Sequence, residues 1–163
     1  MKDNKIKKPE HFLGAQLAQK TIEGVECWTL TSEDYIKAAI INVEAALLIV
    51  TGQRLPSRCT TPIQANYRPE LDDSSEMKID DVRYFRELIG ILRWAVELGR
   101  IDIAMEVSML STHLAVPREG HSQQVSHDFG FLKAKPKQTI VFDPQHPDID
   151  ETRFVKCDWY DLY

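Results

Sequence analysis

"RYFRELIGILRWAVELGRIDIAMEVSMLS", Arg83 to Ser111, is the stretch that decides the fold. Val82, just ahead of it, then Phe85, Ile89, Leu92 and Val96 recur at spacings of three and four. That spacing places them on one face of an α-helix. Leu88, Ile91, Ala95 and Leu98 widen the face, so the helix is expected to be well buried. Gly99 suits the left-handed position past a helix end. A second helix starts around Asp102, carries Ile103, Val107, Leu110 and Leu114, and is ended by Pro117. Gly99-Arg100-Ile101-Asp102 is then the turn between two helices.

Upstream, Asp80 or Asp81 can cap the first of these helices. Residues 53–79 contain Pro56, Pro62, Pro69 and an acidic cluster, and read as a long surface connection. An earlier helix has Thr31 or Ser32 as N-cap, Glu33 and Asp34 in its first turn, and Gly52 as its stop. Before it, His11–Leu30 reads as a hairpin turning at Ile22-Glu23-Gly24-Val25. Downstream, a helix is expected from Arg118 to Lys135, closed by Pro136 and followed by a short strand, Thr139–Phe142. The fold class is α+β, mainly α: an N-terminal β-hairpin, a helix, a three-helix bundle and a short C-terminal strand.

At 163 residues, with 43% hydrophobic and 28% charged content, the chain has the composition of one soluble globular domain. No apolar run reaches the ~18–20 residues of a membrane span, and MKDNKIKKPEH leads into no long apolar segment. Cys27, Cys59 and Cys157 form neither a disulfide framework nor a zinc pattern. An intracellular location, cytoplasmic or nuclear, is expected. The net charge of −5 weighs against a free-standing nucleic-acid binder. The charge is uneven, however: residues 1–20 carry five lysines against two acids, residues 70–81 six acids against one lysine. Arginines return at 83, 86, 93, 100 and 118.

Catalytic signals are absent. Lys78-Ile79-Asp80-Asp81 has the adjacent carboxylates of a polymerase metal site. That role needs a tight hairpin between apolar strands, whereas here the pair precedes an amphipathic helix and serves better as a cap. Asp72-Asp73 lacks apolar flanks altogether. His113, His121 and His127 include no i, i+4 pair, and no cysteine joins them. Cys59 has no base nearby in sequence, Ser108 and Ser111 lack an elbow motif, and the seven glycines form no phosphate loop.

Several segments, in order, resemble the copia-type retrotransposon reverse transcriptase. The matching residues are Tyr84, Leu88, Ile89, Gly90 and Leu92, then Arg100, Asp102 and Ile103, then Val107, Ser108, Leu110 and Ser111. Downstream, Pro117, His121 and Phe131-Leu132-Lys133 fit the family's run; upstream, Phe12-Leu13-Gly14 and Thr61-Pro62 do. The likeness covers residues 9–143. Ser122 and Gly130 depart from the pattern. Gly130 is read as relaxed constraint, a close helix contact or decay of the element.

The resemblance implies an RNA-directed DNA polymerase from a transposable element, present here as a fragment. Residues 1–31 would be the end of the palm, 32–135 a helical thumb-like region and 136–163 the start of the connection. The family's catalytic Mg²⁺ is held by palm carboxylates before Phe12, and only Asp3 and Glu10 precede it here. The ribonuclease H carboxylates would follow the last residue. The chain alone is therefore expected to be inactive and to hold no cofactor. Phe12, Leu13 and Gly14 would be primer-grip-like.

A thumb holds duplex by its backbone, so Lys7, Lys8, Arg83, Arg86, Arg93, Arg100 and Arg118 are candidates for phosphate contact. Their partner would be an RNA–DNA hybrid or DNA duplex, with the palm and ribonuclease H parts of the polyprotein alongside. For Arg100 and Asp102 a structural cap of the interhelical turn is favoured. Trp94 is expected in the core or an interface rather than as a base-stacking platform. The alternatives are a non-catalytic helical protein-interaction module and a decayed transposon-derived fragment.

Overall fold

The computed structural model describes residues 9–145. Lys7, Lys8 and the aromatic tail lie outside that range. The chain first doubles back twice. Strand β1 (His11–Phe12) pairs antiparallel with β2 (Ala15–Ile22), and β2 with β3 (Val25–Thr31). Both turns are two residues long, Leu13-Gly14 and Glu23-Gly24, with φ of 52° and 98°, then 50° and 86°. Positive φ at both central residues makes the turn twist match that of the strands. The Glu23-Gly24 turn is the one expected; the first turn is an addition, because leucine is a poor signal for that backbone. The strand expected downstream, β4 (Thr139–Phe142), pairs with β3 and completes a four-stranded antiparallel sheet in the order β1-β2-β3-β4.

Helix α1 (Glu33–Thr51) carries its acids in the first turn and ends on Gly52 at φ 69°. Ser32 occupies the N-cap position but makes no side-chain cap bond; the local backbone, at φ −103° and ψ 23°, is not the extended form that aims the hydroxyl. Helix α2 (Ile79–Glu97) begins one residue before Asp80. Lys78 is its N-cap, and Asp80 and Asp81 lie in the first turn. The cap expected there is thus corrected: these acids complement the helix dipole from within.

The turn after α2 packs on the sheet. Gly99 has φ 102°, and a Cβ on it would come 2.8 Å from Ile140 Cδ1. Glycine is required there by conformation and by space. Arg100 is 1% exposed and clamps Asp102 with two hydrogen bonds, Nε to Oδ1 at 2.9 Å and Nη2 to Oδ2 at 2.8 Å. A third reaches the Pro136 carbonyl, and the guanidinium lies 6.0 Å from the Phe131 ring centre.

Helix α3 (Ala104–Ser111) is shorter than expected. The Ser111 hydroxyl donates to the Val107 carbonyl and the Thr112 hydroxyl to that of Met109. The Thr112 and His113 amides tighten to carbonyls three residues back, so the helix closes well before Pro117. Helix α4 (Glu119–Ala134) starts as expected.

The core lies where α1, α2, α3 and α4 meet: Ile36, Ile40 and Val43 against Phe85, Ile89 and Leu92, with Val107, Leu110, Val125 and Phe129. Leu92 is fully buried, and its truncation to alanine would cost about 2–5 kcal/mol. The hydroxyl of Tyr35 donates to the Ile91 carbonyl at 3.1 Å, and Lys133 meets Glu44 at 2.5 Å, tying α1 to its neighbours.

The connection 53–79 is more than a surface link. It inserts Leu55, Cys59 and Pro69 as buried residues and forms a short 3₁₀ turn, Pro69–Leu71. It also supplies the polar partners of α4. The Gly120 amide donates to Ser74 Oγ and the Glu119 amide to the Ser75 carbonyl. Gln124 donates to the Pro62 carbonyl and accepts from the Gln64 amide. These partners cap a helix start that would otherwise leave its first amides unpaired.

Candidate nucleic-acid interface

The inward face of α2 is consumed by the core, so any outside partner must meet the other face. At 3.6 residues per turn, Arg83, Arg86, Gly90, Arg93, Trp94 and Glu97 share that outer face, and all are exposed. Arg83 is 86% exposed and pairs with Glu87 one turn on at 3.3 Å. Such a pair is worth a few tenths of a kcal/mol and opens readily (~0.3–0.5 kcal/mol). Arg86 donates to the Leu114 carbonyl at 2.9 Å, so its head is partly committed. Arg93 borders a cleft of about 260 Å³ between α2 and α3, with Val96, Glu97, Ala104, Val107, Ser108 and Ser111. The face is mixed in sign, since Glu87 and Glu97 interleave with the arginines.

Gly90 is the most informative position. It sits in the middle of a 19-residue helix, and a Cβ built on it meets nothing within 4 Å. Nothing among the described residues requires glycine there, although glycine in a helix interior costs about 1 kcal/mol relative to alanine. Trp94, one turn on, is 42% exposed. Of the two positions expected for Trp94, core or interface, this exposure removes the core: Leu92 and Ala95 take the inward positions beside it.

The structure sorts the other candidates. Arg100 is buried and bound to Asp102, so it is withdrawn as a phosphate contact and stands as the structural cap of its turn. Arg118 is half-buried, with its guanidinium on the Ser74 carbonyl. Phe12 and Leu13 are 59% and 64% exposed at the tip of the first hairpin. A Cβ on Gly14 would lie 3.9 Å from Leu98 Cδ1, so this tip sits beside the C-terminal end of α2.

Asp80 and Asp81 are exposed on one helical turn, without the opposed apolar strands of a polymerase metal site. Among the described residues no group of three or more histidine, cysteine or acidic side chains could hold a metal ion. The rings of His113 and His121 stack with centroids 4.2 Å apart. His121 has both nitrogens engaged: Nδ1 accepts from the Arg118 amide, and Nε2–H donates to the Pro69 carbonyl at 3.0 Å. Burial lowers the pKa of His113, and His121 adds to the effect.

Two buried polar groups escaped the sequence reading. Cys59 lies 3.5 Å from His127 Nδ1, across 68 residues, while His127 Nε2 faces the Thr61 carbonyl at 2.9 Å. Burial pushes the thiol pKa up, with Asp128 adding; with His127 Nε2–H donating to the Thr61 carbonyl, Nδ1 accepts from the thiol. Asp128 is fully buried, and burial pushes its pKa up to about 8. The Gln124 amide 2.8 Å away works against that rise and Glu106 adds to it. The Gln124–Asp128 pair does stand at i, i+4 on α4, but the packing that buries Asp128 and the pairing of Cys59 with His127 across 68 residues carry no spacing signal.

Comparison with known proteins gives one informative likeness. Over 132 residues, 81% of this chain, it is 28% identical to a Saccharomyces cerevisiae protein attributed to transposon Ty5-1. The chain spans 38% of that relative's length. No protein family description matches, and no solved structure does. Among the described residues, no helix is long and apolar enough to cross a membrane. The likeness supports a transposon origin for the chain.

Proposed function

We propose that this chain is the thumb-like part of a copia-type retrotransposon reverse transcriptase, and that α2 lays its outer face along a template–primer duplex. The observation that carries this is Gly90, an open glycine in mid-helix with Arg86, Arg93 and Trp94 one turn away. A helix that must approach a duplex backbone closely gains from lacking a side chain at the point of approach. Arginines on either side supply the charge that phosphates need, without reading sequence. The exposed tip at Phe12, Leu13 and Gly14 fits a primer-grip role beside the end of α2. The transposon likeness over most of the chain and the ordered motifs from Phe12 to Lys133 support the same origin.

On this reading the chain has no polymerase activity by itself, and Mg²⁺ belongs to the parent's palm. Metal-dependent nucleotide incorporation by the purified chain would sink that part of the proposal. The grip is tested by binding to an RNA–DNA hybrid at graded salt. Affinity should fall with salt, and Arg83→Ala with Arg93→Ala should flatten the slope by about one unit per arginine. Binding without salt dependence, or a slope indifferent to both changes, would remove α2 from the interface.

A further inference from the structure

The chain has a net charge of −5, yet two of its stretches hold no acid at all. Residues 45–67 carry Arg54 and Arg58, and residues 129–142 carry Lys133, Lys135 and Lys137. The fold brings the two stretches together. Pro56 and Cys59 lie against Gly130. Lys135 Nζ donates to the Thr60 carbonyl at 3.1 Å and lies 5.1 Å from the Phe131 ring centre. Arg58, two residues before Thr60, is exposed.

One flank of α1 continues the charge. Glu33 and Glu44 are eleven residues apart, close to three turns, so they share a helical phase about 16 Å apart. Glu33 meets Lys37 at 2.7 Å, and Glu44 meets Lys133 at 2.5 Å. Each acid also feels a second cation. The hydrogen bond from Lys37 lowers the Glu33 pKa, and the charge of Lys137 adds. Lys133 does the same for Glu44, with Arg54 adding. Lys133 therefore stands level with Glu44, and Lys137 level with Glu33. The chain leaving α4 runs back along α1 and lays a row of positive charge beside it. Six cations (Lys37, Arg54, Arg58, Lys133, Lys135 and Lys137) stand against three acids, the third being Asp34 near Lys37. All of the six except Lys133 are exposed, and Lys133 is half-buried.

The shape of the row selects its partner. A single phosphate needs donors that converge on one point, and these cations are spread along a line. One nucleic-acid strand repeats its phosphates at about 3.4 Å along the axis of B-DNA, so a row of about 16 Å runs beside several of them. Exposed ion pairs such as Lys37–Glu33 are worth little and exchange readily for phosphate. The ring beneath Lys135, Phe131, is 4% exposed, so it offers bases no platform for stacking. Contacts of this kind hold a backbone without reading sequence.

We propose that the flank made by α1, the end of α4 and residues 54–60 is a track for the backbone of one nucleic-acid strand. None of its residues lies on α2, so it is a second surface that stands or falls independently of the duplex reading for that helix.

The test is fluorescence anisotropy of the full chain with a labelled single-stranded oligonucleotide at graded salt. Arg83→Ala and Arg93→Ala are present throughout, which silences α2. Binding should persist in that background and fall with salt. Arg58→Gln with Lys137→Gln should weaken it about tenfold and flatten the salt slope by about 0.7 per cation removed. Glu44→Gln keeps an acceptor for the Leu55 amide and removes a competing carboxylate. It should tighten binding about threefold, a gain that misfolding does not produce. Circular dichroism on the same samples verifies that each variant is folded. Affinity indifferent to Arg58→Gln with Lys137→Gln overturns the proposal, as does an unchanged or weakened Glu44→Gln. Polyglutamate of matched charge that competes as well as unlabelled oligonucleotide also overturns it, in favour of an acidic protein partner.

Discussion

Gly90 and Gly130 both interrupt helices at positions where alanine would be the better former, and their surroundings are opposite. A Cβ on Gly130 would come 2.7 Å from the Pro56 carbonyl oxygen and 2.8 Å from Cys59 Sγ, because the long connection packs directly on α4. A Cβ on Gly90 would meet nothing. The first glycine is explained by this chain alone, and the second is not. The same division runs through the arginines. Arg100 is enclosed and committed to Asp102, whereas Arg83 lies open on the outer face of α2. One side of the molecule is built for itself, and the other leaves its glycine and Arg83 open.

The largest expected effect tests the arginines. Arg100→Ala strips Asp102 of a two-point partner at a buried site and should cost about 3–5 kcal/mol in urea unfolding. Arg83→Ala should change stability by no more than about 0.5 kcal/mol. Equal losses from the two would break the division.

Next comes the pH response of the enclosed side. Asp128 has a native pKa pushed up to about 8 by burial, well above an unfolded value of about 3.9. Between those values the native state holds a proton that the unfolded chain has released. Its contribution to stability is therefore full below about pH 4 and is lost as pH rises through about 8. Urea midpoints taken from pH 4 to pH 9 should fall less steeply for Asp128→Asn than for the parent chain. Parallel profiles would show that Asp128 ionises freely in the fold.

Gly130→Ala should destabilise by about 1–3 kcal/mol, because the added methyl meets backbone that cannot step aside. Thermal unfolding reads this directly. A neutral or stabilising result would mean the connection is looser over α4 than its contacts indicate. The smallest effect has the opposite sign: Gly90→Ala should stabilise by about 1 kcal/mol, the propensity difference with no clash to offset it.

Much of this was legible in the sequence where one element alone sets the outcome. The face of α2 follows from its own spacing, and Phe85, Leu88, Ile89 and Leu92 are buried as that spacing requires. The Glu23-Gly24 turn is local too, set by a glycine between two β-rich runs. What the sequence hid depends on distant partners. The connection reads as exposed because proline and acid dominate it, yet its polar backbone is satisfied by Gln124, Arg118 and His121 across tens of residues. Trp94 reads as core or interface because its neighbours are apolar, and its 42% exposure leaves it on the outer face. For Arg100 the sequence favours the cap over a duplex contact, and burial decides for the cap. For the candidate interface, the need of a thumb for phosphate contacts pointed to Arg83, Arg86 and Arg93, and the motif included Gly90; the significance of Gly90 needed the empty space beside it.

The most direct test joins both halves of the comparison in one variant. Gly90→Ala should raise the unfolding free energy while weakening binding of an RNA–DNA hybrid by about tenfold, or ~1.4 kcal/mol. Stability and affinity moving in opposite directions would show that the open position is kept for an outside partner. A stabilised chain that binds the hybrid as tightly as its parent would contradict that account of α2.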